Sequence, residues 1–362
     1  MLLQFFALAV ISLSAECPKN ADKELRPLTP PTSFLNADCG SVDIRFATTD
    51  ESPSNPNVYT EIKQSFFKGA TLKSITISSK ITEIESNAFE GAKIIESINF
   101  AAAESLTTIS SFAFKGATIP SISLPSGISS VGASAFEGCT LDGDFNFGSS
   151  KDLTTMSGGR IFADAHITGS LTWPSDLSSV YTPSNTGDED QLKNCIFHHC
   201  EIETLNLKAA PFTTLPSYFL YNVDQISSIT LPDKLKIIPS GAFKSAKIEG
   251  KISFPNTENI VSNAFEGSTL GQLDFSLAKE IEKINSNVFK DSTIDSINPF
   301  PPNLRTIENG AFMGGLLYST IKFPSNLEKI KGSAFEGKHG FTTLDFSEAS
   351  ALTDIEEKAF YD

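Results

Sequence analysis

Positive charge is scarce in this chain. Twenty-eight Lys and Arg stand against 43 Asp and Glu, for a net charge of −15. Phosphate binding needs clustered cations, and no run of Lys or Arg occurs, so nucleic acid is excluded as a partner. Long apolar runs are also missing. Beyond the N-terminus no stretch approaches the ~18 apolar residues of a membrane span, which predicts a mature chain without an integral membrane segment. There is one Trp and there are four His: His166, His198, His199 and His339. No nucleophile elbow, phosphate loop, zinc-protease helix or dinucleotide fingerprint is present. No pair of distant segments sets a His against a nucleophile and an acid. The expectation is a protein that is not an enzyme, with no catalytic residue and no cofactor. The 20 Asn form no Asn-x-Ser/Thr sequon, which removes N-glycans as a source of recognition.

What is there begins with an apolar run, residues 2–13, interrupted only by Gln4 and Ser12 and followed by Ser14 and Ala15. Its length suits a secretory leader, here residues 1–15, although Lys and Arg are missing ahead of it. Cys17 and Cys39 flank the segment 16–41, read as an N-terminal cap. In an oxidising compartment they are expected to pair as a disulfide and staple that end. Cys139 and Cys200 each follow a Phe by three residues. Their turns are two apart, a separation of about 10 Å, beyond the roughly 7 Å a disulfide spans. Cys139 therefore reads as a buried thiol.

The dominant feature is a Phe that recurs at positions 67, 89, 114, 136, 162, 197, 219, 243, 265, 289, 312, 335 and 360. It sits in one phrase: NAFEGA at 87–92, SAFEGC at 134–139, NAFEGS at 263–268, SAFEGK at 333–338. Most steps are 22 to 26 residues and one is 35. A fixed period of this size means a solenoid, in which each turn covers the apolar face of the next. Within 72–92, Leu72, Ile75 and Ile77 mark a short strand, with Ile75 and Ile77 on one side of it. Ile81 and Ile84 follow at helical or 3₁₀ spacing, then Ala88 and Phe89. Gly91 ends the turn, where positive φ favours Gly. The strand pair recurs, from Ile98 and Phe100 to Leu344 and Phe346, with an irregular first strand placed at Ile44 and Phe46. Units alternate between Pro after the strand (TLPDKLKIIPSGAF, 230–243) and a polar turn (DFSLAKEIEKINSNVF, 274–289).

The pattern L-x-x-I-x-I/F followed by L-x-x-I-x-x-x-A-F-x-G/C resembles the BspA-like class of leucine-rich repeats. The resemblance covers about residues 42–362. It implies an α/β repeat solenoid, a leucine-rich-repeat horseshoe of about 13 coils with a parallel concave β-sheet. It also implies secretion or surface display in mucosal bacteria and protozoan parasites, with roles in adhesion to host cells or matrix proteins. Many relatives carry a C-terminal anchor. The coil around Pro299 departs from the strand pattern and is expected to be irregular.

Three departures from the repeat are candidate sites. Cys195, His198, His199 and Cys200 have the density of a zinc site. As repeat positions, however, Cys200 takes the slot of Cys139 and His199 that of Gly138, and a Cys195–Cys200 disulfide is a further alternative. No metal is assigned there. The 35-residue step holds about a dozen extra residues, an insertion near 176–194 whose centre, 184–191, is polar and acidic. The third is the column of residues between the two inward strand positions, expected on the concave face. It runs Thr76, Asn99, Ser123, Asn146, Thr172, Asn206, Thr230, Ser253, Asp274, Asn298, Lys322, Asp345. Short polar side chains here suit protein loops or glycans, or simply solvate a sheet.

The leading functional expectation is a secreted, adhesin-like binding protein with host-cell or matrix proteins as partners and glycans second. The alternatives are a secreted hydrolase or zinc protein with a site near 188–200, and an antigenic surface protein without a specific ligand. The chain stops two residues after Phe360 with no polar capping unit. The last coil is therefore expected to fray, to pair with another chain as an oligomer, or to belong to a truncated copy.

Overall fold

The computed structural model describes residues 9–13, 38–46, 60–147, 150–185, 187–337 and 340–361, the first two segments as backbone only. Two compact units cover the chain, residues 1–177 and 178–362. Each is a parallel β-solenoid, as the leucine-rich repeat predicts.

In the first unit Asp38–Phe46, Thr71–Thr76 and Lys93–Asn99 run parallel, each bonded to the next. The register pairs Val42 with Ile75 and Asp43 with Thr76. The first strand therefore presents Val42 where the sequence pattern placed Ile44, a shift of two residues. The shift keeps the same face, because side chains alternate with a period of two. Ala9–Leu13, inside the apolar N-terminal run, lies antiparallel on the outer edge of Asp38–Phe46. A narrower parallel sheet follows the turns: Glu61–Ile62, Glu83–Ile84, Thr108–Ile109 and Ser130–Val131. The second unit repeats both. Glu201–Asn206 pairs with Gln225–Thr230, and Thr269–Asp274 with Thr293–Ile297. Short ladders join Lys283–Ile284, Thr306–Ile307, Lys329–Ile330 and Asp354–Ile355.

Helix is almost absent. Ile81 closes a turn onto Ser78, and Ile84 lies in a two-residue strand, so the three-residue spacing records a turn. Among the described residues the helical component is one turn, Glu189–Leu192, in the insertion. The reason lies in the hydrogen bonds. A helix would use each N–H internally, at residue i−4. Here the Phe67 N–H donates to the Ala88 carbonyl (2.7 Å) and the Phe89 N–H to that of Ala113 (2.7 Å), one turn further on. Even the bends are laddered to the next turn, which satisfies their buried backbone groups.

The recurring Phe fills the interior. Phe67, Phe89, Phe114, Phe136 and Phe162 stack face to face, with centroids 4.9–5.5 Å apart. Phe243 through Phe360 do the same in the second unit at 4.5–5.2 Å. Position 219 is the exception. Leu220 donates the anchor bond, to Ala242, while Phe219 meets Phe197 edge-on. Leu220 is thus the anchor of that turn, and Phe219 occupies the slot that elsewhere holds Ala. The coil at Pro299 is irregular as expected. Phe275 bonds to the Pro299 carbonyl, and Phe300 supplies the ring that stacks on Phe323.

Cys17 and most of segment 16–41 lie outside the described residues, as does His339. Cys39 is placed by its backbone, which pairs with Leu72.

Candidate binding surface

The polar column is laid out in register. Thr76 lies beside Asn99, Ser123 beside Asn146, and Asn146 beside Thr172. In the second unit Asn206 pairs with Thr230, Ser253 with Asp274, and Lys322 with Asp345. Asn298 follows the strand Thr293–Ile297 and donates its N–H to Leu273. All of these residues are half-buried or exposed.

Four of the column residues already have work in the backbone. The side-chain oxygen of Asn99 accepts from the Ala101 N–H (2.8 Å), Asn206 from Lys208 (3.1 Å), Asp274 from Ser276 (2.9 Å) and Asp345 from Ser347 (2.9 Å). These are Asx turns, in which a short side chain satisfies an N–H two residues on. The other kind of unit needs none. After Ser123, Thr172, Thr230, Ser253 and Lys322, the residue two further on is Pro125, Pro174, Pro232, Pro255 or Pro324, which has no N–H. The alternation of Pro and polar units is therefore a rule about one donor. Where it exists, Asn99, Asn206, Asp274 and Asp345 accept from it, Thr76 ahead of Ser78 being an exception; where Pro removes it, Ser, Thr or Lys suffices. Two of the carboxylate or ammonium groups are also ion-paired: Lys251–Asp274 at 2.6 Å and Lys322–Glu348 at 2.7 Å.

A second column lies directly after the anchor. It reads Lys68, Glu90, Lys115, Glu137 in one unit and Lys244, Glu266, Lys290 in the other. Successive members pair: Lys68–Glu90 at 2.7 Å, Lys115–Glu137 at 3.2 Å, Lys244–Glu266 at 3.2 Å. At the turns following the insertion the pattern changes, and the same slot holds His198 and then Tyr221.

Around them a patch assembles in the second unit. The His198 and His199 rings are 4.2 Å apart, His198 and Tyr221 5.9 Å, Tyr218 and Tyr221 5.8 Å. His199 occupies the Gly138 slot with φ 55°, as its place in the repeat predicted. Its Nδ1 is 2.8 Å from the Asp224 carboxylate, and the Asn222 amide donates to its Nε2 at 3.1 Å. Tyr218 is also left-handed, at φ 57°, in the slot that Ser65, Asn87 and Gly241 fill in other turns and that the bulkier Phe112, Arg160 and Lys358 share. For a bulky residue that conformation costs about 1–2 kcal/mol. The ring is accommodated by a missing side chain: a Cβ on Gly241 would stand 2.6 Å from the Tyr218 ring. Burial, and then the Glu189 carboxylate, raise the Tyr221 phenol above its ordinary value. Glu189 belongs to the one-turn helix of the insertion. At its start the Asp188 side chain caps the helix by accepting from the Asp190 N–H, and Asp190 pairs with Lys193 at 2.8 Å.

Among the described residues no group of three or more His, Cys, Asp or Glu is placed to hold a metal. Cys139, Cys195 and Cys200 are buried thiols, so the Cys195–Cys200 disulfide does not form. Burial pushes the Cys195 thiol up to about 12 and that of Cys139 higher still. Little thiolate, the nucleophilic form, exists at neutral pH.

Tyr218, Tyr221, Asn222 and Asp224 escaped the sequence reading. The signal was present in the residue after each anchor, where Lys and Glu give way to His198 and Tyr221. It was obscured because Phe219, one position early, imitates the anchor.

Fold and surface together define a repeat-built scaffold of leucine-rich type. The chain matches the family described as "BspA type Leucine rich repeat region (6 copies)" over residues 60–184, 175–271 and 258–362. It belongs to the BspA-type leucine-rich repeat family. No curated protein matches it. Three solved structures are similar in architecture. The pneumococcal vaccine antigen PcpA is 18% identical, with 89% of this chain and 94% of that chain covered and a TM-score of 0.32. A leucine-rich repeat protein from Bacteroides ovatus is 14% identical, with 95% and 90% covered and a TM-score of 0.34. One from Eubacterium ventriosum is 15% identical, with 85% and 81% covered and a TM-score of 0.29. Among the described residues no helix is long and apolar enough to cross a membrane.

Proposed function

We propose that this chain is a secreted or cell-surface-associated, non-catalytic binding protein whose partner is a host-cell or matrix protein, in the manner of an adhesin. The observation that carries the reading is the half-buried patch at Tyr218 and Tyr221. It replaces a self-paired Lys–Glu ladder with aromatic side chains, the kind that dominate protein interfaces. Secretion is supported by the apolar leader at residues 1–15. In the sheet-face column, Thr172 and Thr230 are the better contact residues, because Asn99, Asn206, Asp274 and Asp345 are occupied by their own turns.

The test is retention of an epithelial surface-protein fraction on immobilised full chain, beside an unrelated acidic protein, with light scattering on the same preparation. Saturable binding above the control is expected. Binding no greater than the control would leave the chain as an antigenic surface without a ligand.

A further inference from the structure

We infer that the Tyr218–Tyr221 patch is a docking site for a basic segment of the partner, one that presents Arg or Lys side chains to the two rings. The inference rests on the binding reading above and names the chemistry of the partner.

Three features converge on a cation. The first is aromatic area held in place. Tyr218 and Tyr221 are half-buried and 5.8 Å apart at an interplanar angle of 66°, and His198 flanks Tyr221. The Tyr218 ring lies in the space that Gly241 leaves open, so its position is set by the next turn. A ring face attracts a cation within about 6 Å of its centroid. This chain already makes such a contact elsewhere: the Lys115 ammonium sits 5.4 Å from the centroid of Phe112, also left-handed and in the same slot of the repeat as Tyr218.

The second feature is the charge around the rings. On the insertion helix, Lys193 is engaged with Asp190, and Asp188 caps the helix. Glu189 has no ion-pair partner among the described residues, and its charge raises the Tyr221 phenol, while that of Lys244, itself paired with Glu266, lowers it. Asp224 is hydrogen-bonded to His199, whose ring lies 4.2 Å from that of His198. A guanidinium over the rings would find carboxylate oxygens at the rim, the pairing Arg makes best. The third feature is the field of the whole molecule, −15, which steers a cationic partner toward the surface and an acidic one away.

The experiment uses the full chain and a fluorescein-labelled twelve-residue peptide alternating Arg and Gly, with a Glu–Gly peptide as control, at about 0.15 M salt. Anisotropy is expected to show saturable binding of the Arg–Gly peptide alone. Tyr218→Ala with Tyr221→Ala leaves the net charge unchanged and weakens binding about tenfold. Tyr218→Phe with Tyr221→Phe keeps the rings and binds within about twofold. Tyr221→Ala alone weakens binding by less, and guards against a double variant that fails to fold. Glu189→Gln also weakens it. The inference is overturned if the alanine pair binds the peptide as tightly as the unchanged chain, if no Arg–Gly binding occurs, or if the patch binds a neutral oligosaccharide in its place. If the alanine pair still retains the epithelial fraction, this assignment of the patch falls while the binding reading stands. If the unchanged chain retains nothing from that fraction, the binding reading falls by itself.

Discussion

At the scale of single residues, position in the repeat decides what a side chain can do. Asn99 and Thr230 occupy the same column and look interchangeable as candidate contacts. Asn99 satisfies the Ala101 N–H, whereas Thr230 precedes Pro232 by two residues and has no such N–H to satisfy. Asn99→Ala is expected to lower stability by about 0.5–1 kcal/mol, the net worth of one hydrogen bond at an exposed turn. Thr230→Ala should change it by less than about 0.5 kcal/mol. Denaturant midpoints for the two variants check this, and equal losses would refute the division of roles. The pattern behind it was legible in the sequence as Asn or Asp without Pro and Ser, Thr or Lys with Pro, Thr76 excepted. Its physical meaning was not, because nothing in the letters says which N–H lies within reach of a side chain.

At the scale of the element, the turn is stabilised by its neighbours. Phe114 is fully buried and stacked on Phe89 and Phe136 at 4.9 and 5.2 Å. Phe114→Ala removes both stacks and opens a cavity, with an expected loss of about 3–5 kcal/mol. Because each turn pairs only with the next, the loss should lower protection of the adjoining turns before distant ones. Hydrogen exchange reads the gradient, and a uniform loss along the unit would contradict it. The Phe period, the strand pairs and the Gly at the left-handed bend were all legible, since each is a burial or φ requirement repeated in every turn. Helical content was misread because an apolar spacing of three arises equally from a turn followed by a two-residue strand. The anchor at Leu220 was misread because two adjacent apolar residues, Phe219 and Leu220, both satisfy the period.

At the scale of the molecule, paired carboxylates set the response to acid. Removal from water alone would raise Glu85, Glu90, Glu137 and Asp274. The hydrogen bonds and cations at each site outweigh that and hold all four below the ordinary range: Lys63 at Glu85, Lys68 at Glu90, Ser134 with Arg160 at Glu137, Lys251 at Asp274. A folded value below the unfolded one contributes stability above the unfolded value, about 4, that is lost as pH falls through the folded one. The melting temperature should therefore hold near neutral pH and decline from about pH 4.5 downward, less steeply in Glu137→Gln. A flat profile to pH 3 would refute the contribution of these pairs.

The sequence by itself determined the solenoid, its period, the buried Phe and the absence of a recognisable catalytic motif, because those follow from local burial and backbone demands that recur in every copy. Only the tertiary structure decided which polar residues are spent on their own turns and which aromatic ones face outward together. Those outcomes depend on contacts between turns. His199 meets Asp224, and Tyr218 lies over Gly241, across a distance of one full coil. At that distance the direction of a side chain is set by the packing of the neighbouring turn.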